Sequence, residues 1–273
     1  MAVELLISCV NKEPRELAEK MHLASHAVIV NQCDAETAAK CETETFQVAG
    51  GSVTALYRNE RGVGRSRNLA LEKSGQAICV FSDEDIVYVD DYAKRIEDEF
   101  AAHPEADILL FQVEVDPSRK TYQNDAFGPV SKWNCGRYPA YSMAFRRDKL
   151  LESGAKFSLL FGGGAPYSNG EDSLFIRDCL KAGLKAYKTP VCIGEEIPRP
   201  STWFSGYHEK FFFDRGVLYH FLYGKAAKIW GFRFVFTKKK VMCTEIPWRK
   251  ALRLLYDGIA KGKQIAKEQQ NED

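Results

Sequence analysis

The sequence predicts an α/β protein: a mostly parallel central sheet flanked by helices, followed by a helical, basic and aromatic C-terminal extension. Three observations lead there. Short apolar runs alternate with charged stretches of helical length, as in parallel strand–helix–strand units. Polar residues gather where those runs end, which is where open parallel sheets bind ligands. Charge is also uneven: residues 224–263 hold 11 Lys and Arg against 2 Asp and Glu, a local net of +9 in a chain whose total is +1.

The elements follow in order. Val3–Val10 reads as a first buried strand, and Pro14 suits the first turn of the helix that continues through Arg15 to Leu23. Ala27–Gln32 is the second strand, and Asn31 and Gln32 at its end are placed to read a base or a sugar, or to begin an ordinary polar turn. Residues 33–52 are polar, with a short strand at Phe46–Val48 and a turn at Gly50-Gly51; Val53–Tyr57 is the next strand. Gly62-Val63-Gly64-Arg65-Ser66-Arg67-Asn68 then opens a helix, and its glycines and guanidinium groups make a corner suited to anions. It is neither a phosphate-binding Gly-Lys-Ser/Thr loop nor a Gly-x-Gly-x-x-Gly fingerprint.

Gln76–Phe81 is a buried strand, and Asp83, Glu84 and Asp85 follow it directly. Adjacent carboxylates repel, so such a cluster calls for a cation. In extended backbone Asp83 and Asp85 share a face and can approach one divalent ion; oxygen ligands suit Mg2+ or Mn2+ held together with substrate phosphates. The plain alternative is an acidic cap on the next helix, Asp90 to His103. Asp107–Val115 is a further strand, and residues 116–140 form a long polar loop of the kind that is usually functional. A strand at Ser142–Phe145 and a short helix at Arg147–Ser153 come next.

A glycine-rich stretch, Phe161 to Gly170, leads into Glu171 and Asp172 in the first turn of a helix that runs to Ala182. These two either complement the helix dipole or aim a general base into a cleft. Lys185–Ile193 is a late strand, expected at a sheet edge because of Pro190. The chain is crowded with aromatics from Trp203 to Trp230, then alternates basic and apolar residues at helical spacing. That pattern fits a solvated basic face over a packed apolar one, or contact with a membrane surface. The last ten residues are expected to fray.

Composition bounds the rest. At 273 residues the chain can bury a large core, and the total charge gives no argument for nucleic acid as a partner. The 8 cysteines are dispersed without a Cys-x-x-Cys pair, which excludes zinc-finger spacing and fits small core residues in a reducing compartment. The apolar N-terminus is short, lacks a basic flank and contains Glu4, so it reads as a strand rather than a signal peptide.

Five stretches in this order resemble the family 2 glycosyltransferases of GT-A (Rossmann-like) fold. They are the first strand ending near Asn11, the second ending Val30-Asn31-Gln32, Gly62 to Ala70, Asp83-Glu84-Asp85, and Gly170-Glu171-Asp172. Ser66-Arg67-Asn68, Gly163-Gly164 and Ser201-Thr202-Trp203 look like bacterial members that build lipopolysaccharide or capsule glycans. The resemblance implies a catalytic domain over residues 1–205 and an extension over 206–273. It implies inverting, metal-dependent transfer from a nucleotide-sugar donor, usually a UDP-sugar, to a glycan or lipid-linked acceptor. Asn31 or Gln32 would face the base, Asp83 or Glu84 the ribose, and Asp85 with Asp83 the metal. Arg65, Arg67 and Asn68 would lie near the donor, with Arg65 or Arg67 assisting the leaving diphosphate. Asp172, with Glu171 in reserve, would be the base. Glu195 and Glu196 stand where some relatives carry a further metal ligand, often His. A cytoplasmic location, with peripheral contact at the inner membrane face through 224–263, is expected. A sugar-nucleotide nucleotidyltransferase is the competing enzyme, but Asn11-Lys12-Glu13-Pro14-Arg15 matches its loop poorly; a non-catalytic scaffold is the competing non-enzyme.

Overall fold

The computed structural model describes residues 2–198 and 206–272; Ser201-Thr202-Trp203 and the expected boundary at residue 205 lie outside the described residues. The chain divides into two units, Met1–Phe157 with Phe175–Arg199, and Ser158–Leu174 with Pro200–Asp273.

The first unit is a sheet between helices. Its strands are β1 (Val3–Val10), β2 (His26–Gln32), β3 (Thr43–Val48), β4 (Gly51–Arg58), β5 (Ile78–Asp83), β6 (Ile86–Tyr88), β7 (Ile108–Glu114), β8 (Gly128–Pro129), β9 (Met143–Arg146) and β10 (Ala186–Glu196). They are ordered β3-β4-β2-β1-β5-β9-β7-β10-β6, with β8 on β10. Strands β4, β2, β1 and β5 are mutually parallel; β9 is antiparallel to both β5 and β7.

Apolar side chains on both faces of the strands explain the layering. Leu5 and Ile7 face one core with Leu17 of α1 (Pro14–Lys20), its C-cap Met21, and Ile96 and Phe100 of α4 (Tyr92–Ala102). Between those two helices in the chain lie α2 (Ala35–Lys40) and α3 (Val63–Lys73). Leu6 and Phe81 face the other core with Ala70 and Leu71 of α3, Leu150 of α5 (Arg147–Ser153), and Phe175 and Cys179 of α6 (Glu171–Lys181). Phe81 is fully buried against the rings of Phe145, Phe157 and Phe175, at 4.8, 5.0 and 5.5 Å. Truncating such a residue to Ala costs about 3–5 kcal/mol.

The second unit is built on α7 (Glu209–Tyr223), α8 (Ala227–Met242) and α9 (Trp248–Glu272). Helices α7 and α9 meet at two glycines. A Cβ on Gly216 would lie 2.0 Å from the Leu255 carbonyl oxygen, and one on Gly258 2.0 Å from that of Phe213. Residues 158–174 belong to this unit, because Phe161 and Leu174 pack with Val217, Leu218 and Leu222. No described helix is long and apolar enough to cross a membrane.

Four details differ from the sequence reading. β10 is not an edge strand: it lies between β7 and β6, and its register shifts between Lys188 and Cys192, so Pro190 sits in a bulge where no ladder N–H is required. Strand β6 stands between the acidic cluster and the next helix, where no strand was expected, and α2 occupies part of the polar 33–52 stretch, capped by Asp34 accepting from Thr37 N–H. The last residues continue α9 as far as Glu272, in a run of good helix formers.

Candidate functional site

Topology locates the site. From β1 the chain moves through β2 to β4 on one side, then returns to β5 on the other side of β1. The strand order reverses there, leaving a crevice beyond the carboxyl ends of β1 and β5. Register puts Asp83 beside Ser8, Asn31 beside Cys9 and Gln32 beside Val10. Asn31, Gln32 and Asp83 therefore share one end of the sheet.

Asp83 is the last residue of β5, and Glu84 and Asp85 form the turn into β6. The extended spacing expected to align Asp83 with Asp85 thus ends at Asp83. Each carboxylate has its own setting. Asp83 Oδ1 accepts from Arg67 Nη2 at 2.9 Å; that arginine is buried in α3, with its guanidinium 5.1 Å from the Phe157 ring. Glu84 Oε2 accepts from the Val10 N–H at 3.0 Å, and Lys12 Nζ lies 3.6 Å from Glu84 Oε1. Asp85 is buried, and its backbone carbonyl accepts from the Ile197 N–H at 2.8 Å, tying the turn to the end of β10.

The neighbouring amides shape the loops around the crevice. Asn31 donates to the Lys12 carbonyl at 2.7 Å and accepts from the Lys12 N–H at 3.1 Å. This holds Asn11, which adopts a left-handed φ of 50°, at the turn out of β1. Gln32 Oε1 accepts from the Gly62 N–H at 2.8 Å, fixing the residue before α3. Gly62 has φ 127°, a conformation that favours glycine there. Arg65 is exposed on the first turn of α3, 4.0 Å from Glu60. Asn68 clamps the Phe157 backbone, donating to its carbonyl at 2.9 Å and accepting from its N–H at 2.8 Å.

Glu195 is exposed, whereas Glu196 is buried and takes Arg119 of the 116–140 loop at 2.7 Å. Among the described residues no cluster of three or more His, Cys, Asp or Glu side chains is gathered as a complete metal cage. Asp83 and Asp85 nonetheless have the chemistry for Mg2+ or Mn2+, ions that take one or two protein carboxylates and complete their shell with phosphate oxygens and water.

Glu171 and Asp172 lie in the first turn of α6, within the second unit. The chain before them is fixed to α7. Asp214 Oδ2 accepts from the Ser168 N–H at 3.0 Å and pairs with Lys210, which also donates to the Pro166 carbonyl at 3.1 Å. Gly170 has φ 109°, and a Cβ there would meet Leu218 Cδ2 at 2.2 Å.

No protein-family model matches the chain, and no curated protein sequence does. Solved structures do match. S. aureus TarS residues 1–349 in complex with UDP-GlcNAc aligns with 96% of this chain and 88% of its own, at 14% identity and a TM-score of 0.62. The same TarS fragment in complex with UDP covers 90% of this chain and 76% of its own, at 14% identity and a TM-score of 0.58. The fold is GT-A.

Within this GT-A fold, sequence reasoning missed Lys12 and Asp214. Lys12 lies in Asn11-Lys12-Glu13-Pro14-Arg15, a stretch with no local signal of its approach to Glu84. Asp214 has a findable signal: it is four residues from Lys210 on a helix rich in aromatic and apolar residues. The eight cysteines are free thiols. Burial pushes Cys79 and Cys179 up to about 12, and Cys9 further, so these three are core side chains rather than nucleophiles.

Proposed function

We propose that the protein is a glycosyltransferase. It moves a sugar from a UDP-sugar to a hydroxyl of a glycan or lipid-linked acceptor, with inversion, in bacterial-type polysaccharide synthesis. The observation that carries this reading is the Asp83-Glu84-Asp85 turn at the β1/β5 switch point of a GT-A fold. The uridine donor is supported by the similar TarS fold, which has been solved with UDP and with UDP-GlcNAc.

The roles follow from the chemistry. Asp85 and Asp83 would hold Mg2+ or Mn2+. When bound, the ion stabilises negative charge on the departing diphosphate. Arg67 acts through Asp83, which it orients by its hydrogen bond, while Arg65 offers an exposed guanidinium to the diphosphate. Gln32 Nε2 faces the base; Asn31 shapes the adjoining loop through Lys12. Asp83 and Glu84 serve the ribose, with Glu84 anchored by the Val10 N–H. Asn68 positions the Arg67 corner by holding Phe157. Transfer needs a carboxylate to take the proton of the acceptor hydroxyl as it attacks the anomeric carbon from the face opposite the leaving group. Asp172 has that role, with Glu171 beside it. A lipid-linked acceptor brings the enzyme to a membrane, at its cytoplasmic face, and residues 224–263 make that contact.

The test is calorimetric titration of UDP, with and without Mn2+, on the wild type and on Asp85→Ala. Metal-dependent binding in the wild type that Asp85→Ala abolishes is expected. Absence of UDP binding in both conditions would remove the UDP-sugar assignment.

A further inference from the structure

Helix α8 turns an unusual face outward. Its inner line is Ala227, Gly231 and Val235, at i, i+4 and i+8, all buried. Gly231 allows the close contact with α9: a Cβ there would lie 2.4 Å from Leu255 Cδ2. On the other side, at i, i+3 and i+7, stand Ile229, Phe232 and Phe236, which are 73%, 46% and 48% exposed. The Phe232 and Phe236 rings stack at 5.6 Å and 14°, forming a continuous apolar ridge. Large apolar residues scattered singly on a surface need no explanation; a ridge of three on one helix does.

Cations flank the ridge. By helical geometry Arg233 and Lys240 lie along one side of it, and Lys228 and Lys239 along the other. Lys239 Nζ is 4.2 Å from the Phe236 ring centroid. Ala227–Met242 contains five Lys and Arg and no Asp or Glu. Apolar bulk at the centre with long basic side chains at the margins matches an anionic bilayer surface: rings enter the acyl boundary while ammonium and guanidinium groups stay among the headgroup phosphates. Self-association through this face would set like charges against each other, which argues against a second copy as the occupant.

We propose that the outward face of α8 is a monotopic docking surface for anionic lipid, with Phe232 and Phe236 inserted and Arg233, Lys239 and Lys240 at the headgroups. This rests on the assignment of membrane contact to residues 224–263 and narrows it to one helix face. The helix lies in the plane of the interface.

The test is sedimentation of the full chain with vesicles of phosphatidylcholine alone and with about 30% phosphatidylglycerol, at low and high salt. Three proteins are compared: wild type, Phe232→Ser/Phe236→Ser, and Lys239→Ser/Lys240→Ser. All the replaced side chains except Lys239 are exposed, and unchanged circular dichroism verifies folding. The wild type is expected to bind anionic vesicles in a salt-sensitive manner. The phenylalanine pair should lose at least about tenfold in partitioning, and the lysine pair about tenfold or more. Unchanged vesicle binding by the phenylalanine variant would overturn the α8 assignment while leaving a diffuse electrostatic contact through 224–263. No vesicle binding by the wild type would overturn both, even with UDP binding retained. Wild-type self-association without lipid, abolished by Phe232→Ser/Phe236→Ser, would make the ridge a contact between copies and also overturn the proposal.

Discussion

The link between Arg67 and Asp83 tests how the acidic turn is held. Arg67→Met keeps a long side chain in a site that is 3% exposed and removes the charge with its bonds. The charge-assisted bond at 2.9 Å is worth about 1.5–3 kcal/mol. Asp83 is 29% exposed, so water competes for it and the lower half of that range applies. The guanidinium–ring contact with Phe157 adds about 0.5–1 kcal/mol. Removing a buried charge returns part of its desolvation penalty. The balance is a net loss of about 1–2 kcal/mol for the single variant, built from these terms. Combined with Asp83→Asn in a double-mutant cycle, the coupling energy should also be about 1–2 kcal/mol. Urea unfolding of the four proteins by far-ultraviolet circular dichroism, with slopes compared to check the transition, measures it. A coupling energy below about 0.3 kcal/mol would mean that the two residues act independently, and the reasoning fails.

Other outcomes follow from single features. Gly170→Ala combines a φ of 109° with a Cβ 2.2 Å from Leu218 Cδ2, so stability should fall by about 2–5 kcal/mol; adding Leu218→Ala should not restore the loss, since the backbone strain persists. Burial, with Lys263 nearby, lowers the pKa of His220. The unfolded chain then binds the proton more readily, so this contribution is intact above the ordinary histidine pKa of about 6.5 and is lost as pH falls toward the folded value. His220→Gln should flatten the decline in thermal midpoint below pH 6.5, and an unchanged pH profile would remove His220 as its source. Asp172→Asn should leave UDP affinity within about twofold and lower transfer by about 100-fold or more; equal losses in both would make Asp172 a binding residue instead.

Much of the fold was legible because a parallel strand buried on both faces is written as a continuous apolar run. Val3–Val10 and the end of β2 at Gln32 were read to the residue for that reason. Strand β6 was hidden because three residues beside a carboxylate cluster carry too little periodicity, and its pairing with Gly194, Glu195 and Glu196 is long-range. Pro190 misled because a missing N–H excludes a regular ladder position but not a bulge. At the site, residue types were legible and their partners were not. Nothing local tells that Asn68 holds Phe157, 89 residues away, or that Glu84 reaches back to Val10. The grouping of residues 158–174 with the C-terminal helices was equally hidden, since it depends on Phe161 and Leu174 meeting Val217 and Leu218.

The settings of the three carboxylates explain how one turn tolerates them. Repulsion within Asp83-Glu84-Asp85 is relieved from two directions, by Arg67 of α3 on Asp83 and by the Val10 N–H with Lys12 on Glu84. One partner comes from α3 and the others from the end of β1, so the turn is tied to both. The Ile197 N–H, just beyond the end of β10, fixes the Asp85 backbone as well. Ordering a free backbone takes about 1–2 kcal/mol per residue, and here that is met during folding rather than on binding. Under the proposed function, a donor would therefore meet carboxylates already in place, leaving its binding energy for the transition state. Under that same reading, loss of Arg67 should disturb this preorganisation and weaken donor binding by degrees, whereas loss of Asp85 should remove the metal dependence of that binding.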